Sequence, residues 1–274
     1  MLSARLRRTG ARPALVALAL ATGVGVIATT PAADGAEYPV DRRFADSRIV
    51  ESSGIARSTY DRAVVFTHND SGDTNRVFAV GKRGKTRAVL TLEGAGSWDW
   101  EDISTGPNHT LWIGDVGANK LRRPDIQVYR FKEPRKLRSS TIPSTRFDLT
   151  YPDGRHNAEG LLVHPRTGRV YVVTKGQNGG GVYVAPKRLS TSKVNRMRKV
   201  ASAPKMISAA TFSPNGRRIV LAAYTKAYFY KRFGGNVTRT VGKPSGESVE
   251  LTTGGVMLTG SEGKQSKVYR IALR

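Results

Sequence analysis

Cysteine is absent from this chain of 274 residues. Its absence excludes disulfide bonds, thiolate ligands for a metal ion and a lipid-modified cysteine. The length still allows a substantial hydrophobic core, in one large all-β domain or in two small domains.

Motifs for nucleophilic or nucleotide chemistry are also missing. The sequence contains neither a G-x-S-x-G nucleophile elbow nor a Walker phosphate-binding loop. Histidine is scarce, and no two of the four have metal-ligand spacing: His68, His109, His156 and His164. A zinc site is therefore disfavoured, and any metal site is expected to use oxygen ligands.

The sequence also lacks long stretches with helical periodicity. Short β-rich runs instead alternate with Gly, Pro, Asn and Asp. One unit of three runs recurs five times. The five anchors are spaced 48, 58, 50 and 38 residues apart: Ser53, Glu101, Glu159, Ala209 and Glu247. This is the period of a propeller blade. The sequence therefore predicts an all-β fold, a β-propeller of five four-stranded blades.

The fifth copy ends before it can supply a fourth strand. We predict that residues 44–50 supply it, pair with the strand containing Val268 and Ile271, and close the ring. Residues 37–274 would then form a single β-propeller domain. A β-sandwich is the alternative, because it also has short strands and turns. The fixed internal order of the repeated runs favours the propeller.

The N-terminus is predicted to be a secretory signal peptide over residues 1–36. A positive segment precedes an apolar run from Ala14 to about Ala28, and small residues extend to Ala36. A membrane span needs about 20 apolar residues, so this run is short, although an uncleaved anchor is the alternative. We expect a secreted protein, extracellular or associated with the cell envelope, with no transmembrane anchor after cleavage.

Acidic residues are outnumbered by basic ones. The formal net charge is +24, and removing residues 1–36, which hold four Arg and Asp34, leaves +21. Basic residues cluster in outer segments: residues 130–138, 187–199 and 226–232. Such a rim suits an anionic cell-envelope polymer, without sequence-specific nucleic-acid binding. A solubility surface without a partner is the alternative, and we expect a monomer.

The acids concentrate at one end of the predicted channel. First strands line the channel, and antiparallel pairing places their starts beside the ends of the second strands. The predicted metal ligands at this mouth are Glu51, Asp70, Asp99, Glu101, Asp115, Glu159 and Glu247. Converging carboxylates repel unless a proton or a cation intervenes. Oxygen ligands favour calcium or another divalent cation, and the capping of turns by acids is the alternative.

Two further residues are candidate catalytic groups. Lys175 is the basic residue among the predicted mouth positions, so it could hold an anionic group of the substrate or only neutralise the acids. His68 falls near the mouth and is a candidate acid or base. A structural role is the alternative for His68.

Several of these segments resemble a known type. Taken in order, ESSGIA, HNDSGD, DWEDIS, GDVGAN, YPDGRHNAEGLL and SEG resemble secreted bacterial β-propellers of the esterase-like or phytase-like type. The chain is more distantly similar to gluconolactonase-type propellers, which hold a divalent cation with carboxylate and amide ligands. That resemblance implies a ligand role for Glu51, Asp99, Glu101, Asp115, Glu159 and Glu247. Calcium phytase propellers differ, because they have six blades and several phosphate-holding Lys and Arg residues.

Two functions from different classes follow. The first is a divalent-cation-dependent hydrolase of phosphoesters, esters or lactones, acting on a small-molecule or anionic substrate. The second is a non-catalytic secreted binding module, in which the acids hold structural calcium and the basic rim contacts anionic envelope polymers.

Overall fold

The computed structural model describes residues 38–273, and the predicted signal peptide lies outside them. Within these residues, twenty-one strands form five blades in a ring, so the predicted five-bladed propeller is confirmed. Apart from the half-buried Arg57, every residue of the inner strands is buried, because neighbouring blades pack on both faces of each inner strand. None of the residues 38–273 forms a helix long and apolar enough to cross a membrane.

The strands follow the chain from the channel outwards in each blade. Blade one contains β2 (Ser52–Arg57), β3 (Val65–Asn69), β4 (Arg76–Val80) and β5 (Thr86–Glu93). Blade two contains β6 (Trp100–Gly106), β7 (Thr110–Asp115), β8 (Ile126–Lys132) and β9 (Ser140–Thr150). Blade three contains β10 (Ala158–Val163), β11 (Val170–Thr174), β12 (Gly180–Val184) and β14 (Arg198–Ala203). Blade four contains β15 (Ile207–Phe212), β16 (Ile219–Ala223), β17 (Lys226–Tyr230) and β18 (Arg239–Gly242).

The fifth blade joins the two ends of the described chain. It contains β19 (Glu250–Leu251), β20 (Val256–Gly260), β21 (Lys267–Ala272) and, as its outer strand, β1 (Val40–Arg43). Val40 pairs with Tyr269 and Arg42 pairs with Val268. The closure is therefore confirmed, but the predicted segment was wrong, because residues 44–50 follow the closing strand. Phe44 and Ile49 are fully buried between blades five and one, so their hydrophobicity reflects packing in a loop.

Apolar packing between blades holds the ring together. Within residues 38–273, five buried clusters each join two adjacent blades. Trp112 and Phe147 of blade two, for example, pack with Leu161 of blade three. Blades one and two are also joined at their outer edges, where β5 and β9 pair in parallel. The short strand β13 (Asn195–Arg196) adds a second parallel partner for β9.

A carboxylate bridges the channel below its mouth. Asp102 is fully buried, and its Oδ2 accepts hydrogen bonds from the backbone N–H of Leu161 at 2.9 Å and of Ala210 at 3.3 Å. The inner strands of blades two, three and four are thereby linked. Blade one makes room for Asp102 with Gly54, where a Cβ would lie 2.9 Å from the carboxylate. The channel mouth therefore has a closed floor of protein.

Candidate metal and catalytic site

The inner strands of blades two and three each contain a bulge at the mouth. Pairing shifts between Trp100 and Asp102, and again between Ala158 and Gly160. The extra residue is Glu101 in blade two and Glu159 in blade three. A bulge re-aims the side chain of its extra residue and is common beside functional sites. The same irregularity therefore places two glutamates at equivalent positions of neighbouring blades.

Three carboxylates converge at this mouth. Asp70 follows β3, Asp99 precedes β6, and Glu101 lies at the bulge. One oxygen from each carboxylate lies within 4.8 Å of the other two. Asp99 and Glu101 are buried, and Asp70 is half-buried. The structure thus brings together three of the seven predicted ligands in a group that could hold a metal ion.

Burial makes negative charge costly in this cluster. It raises the pKa of Glu101 to about 11, and the charges of Glu159 and Asp70 add to the effect. It also raises the pKa of Asp70 to about 6, with further contributions from Asp99 and Glu247. Without a cation, the cluster therefore retains protons that isolated carboxyl groups would lose.

Gly117 closes one side of the cluster with backbone alone. A Cβ at this position would lie 2.3 Å from both Oδ2 of Asp99 and Oε1 of Glu101. The Gly117 N–H also donates a hydrogen bond of 3.1 Å to the Asp99 carbonyl. Only glycine fits here without movement of the carboxylates. An all-oxygen donor set with a close backbone wall fits a hard divalent cation such as calcium.

Glu159 belongs to a second group beside the carboxylate cluster. Lys175 Nζ donates hydrogen bonds to Glu159 Oε1 at 2.9 Å and to Tyr224 OH at 2.7 Å. Asn157 also donates to Glu159 Oε1, at 3.1 Å. Lys175 thus lies within direct hydrogen-bonding distance of both an acid and a phenol.

Burial and neighbouring groups shift the pKa values of both Glu159 and Lys175. Burial raises the pKa of Glu159 to about 7, although Lys175 opposes this change. Burial alone would lower the pKa of Lys175, but the hydrogen bond with Tyr224 and the charge of Glu159 raise it above its usual value. Lys175 is therefore a stable cation near neutral pH, while Glu159 is poised to exchange a proton there.

The remaining mouth acids lie around these two groups. The hydrogen bond with Glu247 raises the pKa of Glu262 to about 8, with burial as the next cause. The charge of Glu51 acts on both Asp70 and Glu262. Glu51 and Glu247 therefore contribute to the negative potential of the mouth, as their positions in the repeats predicted.

Asp115 lies nearby, but its oxygens are used within the protein. Its Oδ1 accepts hydrogen bonds from the Asp99 N–H at 3.0 Å and from Arg123 at 2.6 Å, while Oδ2 accepts from the Trp98 N–H at 3.2 Å. Asp115 pairs with Trp100, the residue before the bulge at Glu101, and it is not a member of the converging group. Its role here is to position the loop that carries Asp99.

His68 lies at the interface between blades one and two. It is fully buried, its Nδ1 bonds the Asn69 carbonyl at 2.8 Å, and its ring meets Trp100 edge-on at 5.8 Å. Burial lowers the pKa of His68 to about 4. The imidazole is therefore neutral at pH 7 and packs beneath the mouth, apart from the hydrogen-bonded group of Glu159.

Tyr224 and Gly117 are the site residues that sequence reasoning did not select. Tyr224 follows β16, the second strand of blade four, so hairpin pairing is consistent with a place at the mouth, but no sequence pattern distinguishes this phenol from other tyrosines. Gly117 lies in a segment whose glycines are typical of turns. Its closeness to two carboxylates depends on packing that no local pattern reveals.

No known protein-family profile matches the chain, and no curated protein matches it. Solved structures are similar, among them a gluconolactonase from Xanthomonas campestris, with a TM-score of 0.52, 13% identity and coverage of 85% of this chain and 87% of that one. A gluconolactonase candidate has a TM-score of 0.49, 13% identity and coverage of 87% and 92%. A chain of a nidogen/laminin complex has a TM-score of 0.46, 14% identity and coverage of 82% and 77%. The first likeness agrees with the distant gluconolactonase-like resemblance, and at such identity it shows the β-propeller fold.

Proposed function

We propose that the protein is a divalent-cation-dependent hydrolase of lactones or related esters, with its active site at the channel mouth. The observation that carries the proposal is the juxtaposition of two groups. Asp70, Asp99 and Glu101 offer converging oxygens, and Glu159 with Lys175 forms a hydrogen-bonded acid and cation beside them. The similar fold of a gluconolactonase supports lactones as the first substrate class to test.

The three converging carboxylates would hold the cation, with calcium as the first candidate. When bound, such a cation supplies a Lewis acid that polarises a carbonyl oxygen. Gly117 keeps the approach to these oxygens free of side-chain atoms. Glu51 and Glu247 add to the negative potential that attracts a cation to this mouth.

Glu159 is the proposed general base. Its pKa of about 7 suits proton transfer at neutral pH. Asn157 and Lys175 both bond to Oε1, which fixes the orientation of the carboxylate. A water molecule beside Glu159 would give a proton to its carboxylate as the water oxygen attacks the ester carbonyl. When the intermediate collapses and the bond from the carbonyl carbon to the alcohol oxygen breaks, Glu159 would return that proton to the leaving alkoxide.

Lys175 is the proposed stabiliser of developing negative charge. An ammonium group has three N–H donors, of which Glu159 and Tyr224 take two. The third can donate to the oxygen that becomes negative as the tetrahedral intermediate forms. The same cation holds Glu159 in its charged form until the proton arrives.

An assay with purified protein tests the proposal. Hydrolysis of gluconolactone, aliphatic lactones, carboxylate esters and phosphoesters would be measured in calcium and in chelator. We expect lactone turnover in calcium, its loss in chelator and its return after calcium is restored. Glu159→Gln should reduce turnover by at least about 100-fold, with the calcium-induced rise in melting temperature preserved.

The outcomes separate the hydrolase from the binding module. Calcium binding without turnover of any substrate in the panel would favour a module with structural calcium. Turnover that persists in chelator would remove the cation from the mechanism. We place the protein outside the cell, and N-terminal sequencing of the exported form would show whether residues 1–36 are removed.

A further inference from the structure

A second candidate binding site lies at the opposite end of the propeller from the channel mouth. A cavity of about 770 Å³ opens between blades two and three. It includes Pro107 and Asn108 of the turn between β6 and β7, and Thr167 and Gly168 of the turn between β10 and β11. Both turns follow the ends of the inner strands that are farthest from Glu101 and Glu159. The groove is thus separate from the proposed active site.

Positively charged side chains line this groove. Arg130, Lys132, Lys187 and Arg188 line it, and no acidic residue is among the lining residues in the part of the chain that the structure describes. Hydroxyl groups of Thr145, Thr167 and Thr191 also line the groove. Guanidinium, ammonium and hydroxyl donors together suit a tetrahedral oxyanion.

Two of the four cations are held in place before any ligand arrives. Arg130 lies over the rings of Trp112 and Phe147, with its Cζ 5.6 Å and 5.3 Å from their centroids. Lys132 Nζ donates a hydrogen bond of 2.7 Å to the Asn108 carbonyl. Held side chains lose less entropy on binding than freely solvated ones. The groove is therefore more than a patch of mobile surface charge.

The neighbouring acid does not neutralise these cations. Glu133 follows Lys132, but it is buried, and it accepts hydrogen bonds from the Thr59 N–H at 2.8 Å and from the hydroxyls of Ser58 and Thr59. Beyond Glu133, the exposed residues Arg135, Lys136 and Arg138 extend the positive charge away from the groove. A continuous positive strip suits a chain of anions rather than a single small anion.

The aromatic residues of the groove distinguish between anionic chains. Trp112 and Phe147 are almost fully buried, and Arg130 lies over both rings. Binding of single-stranded nucleic acid relies on open aromatic faces for stacking of bases. This groove offers contacts for phosphate groups without such a stacking surface.

We propose that the groove between blades two and three binds a linear polyol-phosphate polymer through its repeated phosphodiester groups. Arg130 and Arg188 donate to phosphate oxygens, Lys132 and Lys187 supply further positive charge, and the neighbouring hydroxyls complete the contacts. The groove would then face the polymer layer. The channel mouth, at the other end of the propeller, would face away from that layer.

Binding of purified full-length protein to poly(glycerol phosphate) would be measured by calorimetry at several salt concentrations. Lys187→Gln with Arg188→Gln should weaken binding at least about tenfold and reduce the slope of log K against log salt by about 1.4. The matched control is Arg62→Gln with Lys264→Gln, which removes the same charge from exposed positions on other blades. We expect a change of less than about twofold in this control, because exposed charges more than a Debye length from the bound polymer are largely screened.

Each other outcome overturns the proposal. Equal loss in both double variants would assign binding to net charge alone. Tighter binding to single-stranded DNA of equal charge, or to phosphatidylglycerol vesicles, would assign the groove to nucleic acid or to a membrane. Arg130→Lys keeps the charge but removes the planar group, so the affinity should fall while the salt slope stays the same. Unchanged affinity in this variant would contradict the proposed donation from Arg130 to phosphate. Hydrolase activity should be unchanged in all of these variants, so this test is independent of the proposed function.

Discussion

Oε1 of Glu101 lies 2.3 Å from the point where a Cβ on residue 117 would sit. This closeness makes Gly117 a sensitive test of the cluster. Gly117→Ala should displace the carboxylates of Glu101 and Asp99 and abolish the calcium-induced rise in melting temperature. The measurement is thermal unfolding in calcium and in chelator, since a ligand that binds the folded state stabilises it.

Gly254→Ala is the matched control for this variant. A Cβ on Gly254 meets only Thr252 Oγ1, at 3.9 Å, so the substitution adds the same atom without a clash. Its calcium response should equal that of the unmodified protein. An undiminished response in Gly117→Ala would mean that the cation does not bind at Asp99 and Glu101.

Calcium should oppose the dependence of stability on pH. The folded-state pKa values of Asp70 and Glu159, about 6 and about 7, lie above their ordinary values of 3.8 and 4.5. The folded protein thus binds more protons than the unfolded chain, so in chelator the free energy of unfolding should fall as pH rises from about 4 to about 7. Calcium competes with these protons, so its stabilising effect should grow over the same range.

Denaturant unfolding at pH 4.5 and pH 8, with and without calcium, measures this dependence. A calcium effect that is equal at both pH values would contradict the assignment of Asp70 and Glu159 to a proton-retaining mouth. High salt without calcium is the control for general screening of charge.

Lys175→Ala separates catalysis from cation binding. The substitution removes the proposed charge stabiliser, so lactone turnover should fall by about 100-fold or more. It also removes the positive charge that opposes the raised pKa of Glu159, so the acid limb of any remaining activity should move to higher pH. The calcium-induced rise in melting temperature should be nearly unchanged. Full activity on every substrate would remove Lys175 from the mechanism.

The ion pair between Arg57 and Glu250 should be important for stability. Arg57 Nη1 lies 2.6 Å from Glu250 Oε1, and the glutamate side chain is 2% exposed. Arg57→Ala would leave a buried carboxylate without its cation, which should cost about 3 kcal/mol of the unfolding free energy. Arg87→Ala is the control, because its pair with Asp61 is exposed and should contribute less than about 1 kcal/mol. Urea unfolding measures both, and equal effects would contradict the distinction.

The repeats predicted the ring because each blade buries its inner strand in the same way. Inner strands need small and β-branched residues, and acids recur where those strands begin. The repeat pattern alone therefore predicts the positions of Glu101 and Glu159. The closing strand was misplaced because residues 44–50 contain Phe44 and Ile49, which are buried without being paired. Val40 is 47% exposed, so its strand carries no apolar signal.

The sequence predicts the positions of the site residues better than it predicts their contacts. Hairpin pairing predicts that Asp115 lies beside Glu101, but Asp115 bonds Arg123 and the N–H groups of Trp98 and Asp99 instead of joining the converging carboxylates. His68 lies one residue before the mouth, and alternation along its strand is enough to direct it towards Trp100. Glu159 and Lys175 belong to the same hairpin of blade three, so strand pairing alone predicts that they lie together. Tyr224 comes from blade four, so its hydrogen bond with Lys175 depends on how the blades pack.

The pairing of β1 with β21 has a consequence for how the protein folds. Blades one to four consist of consecutive strands and can form as the chain is made, whereas blade five needs the first described strand and the last one. The strand Val40–Arg43 therefore stays unpaired until Lys267–Ala272 has been synthesised. Contacts between such distant segments slow folding, because a long loop has to close. A circular permutant that places β1 directly after β21 would bring the strands of blade five together in the sequence and remove this delay in strand pairing.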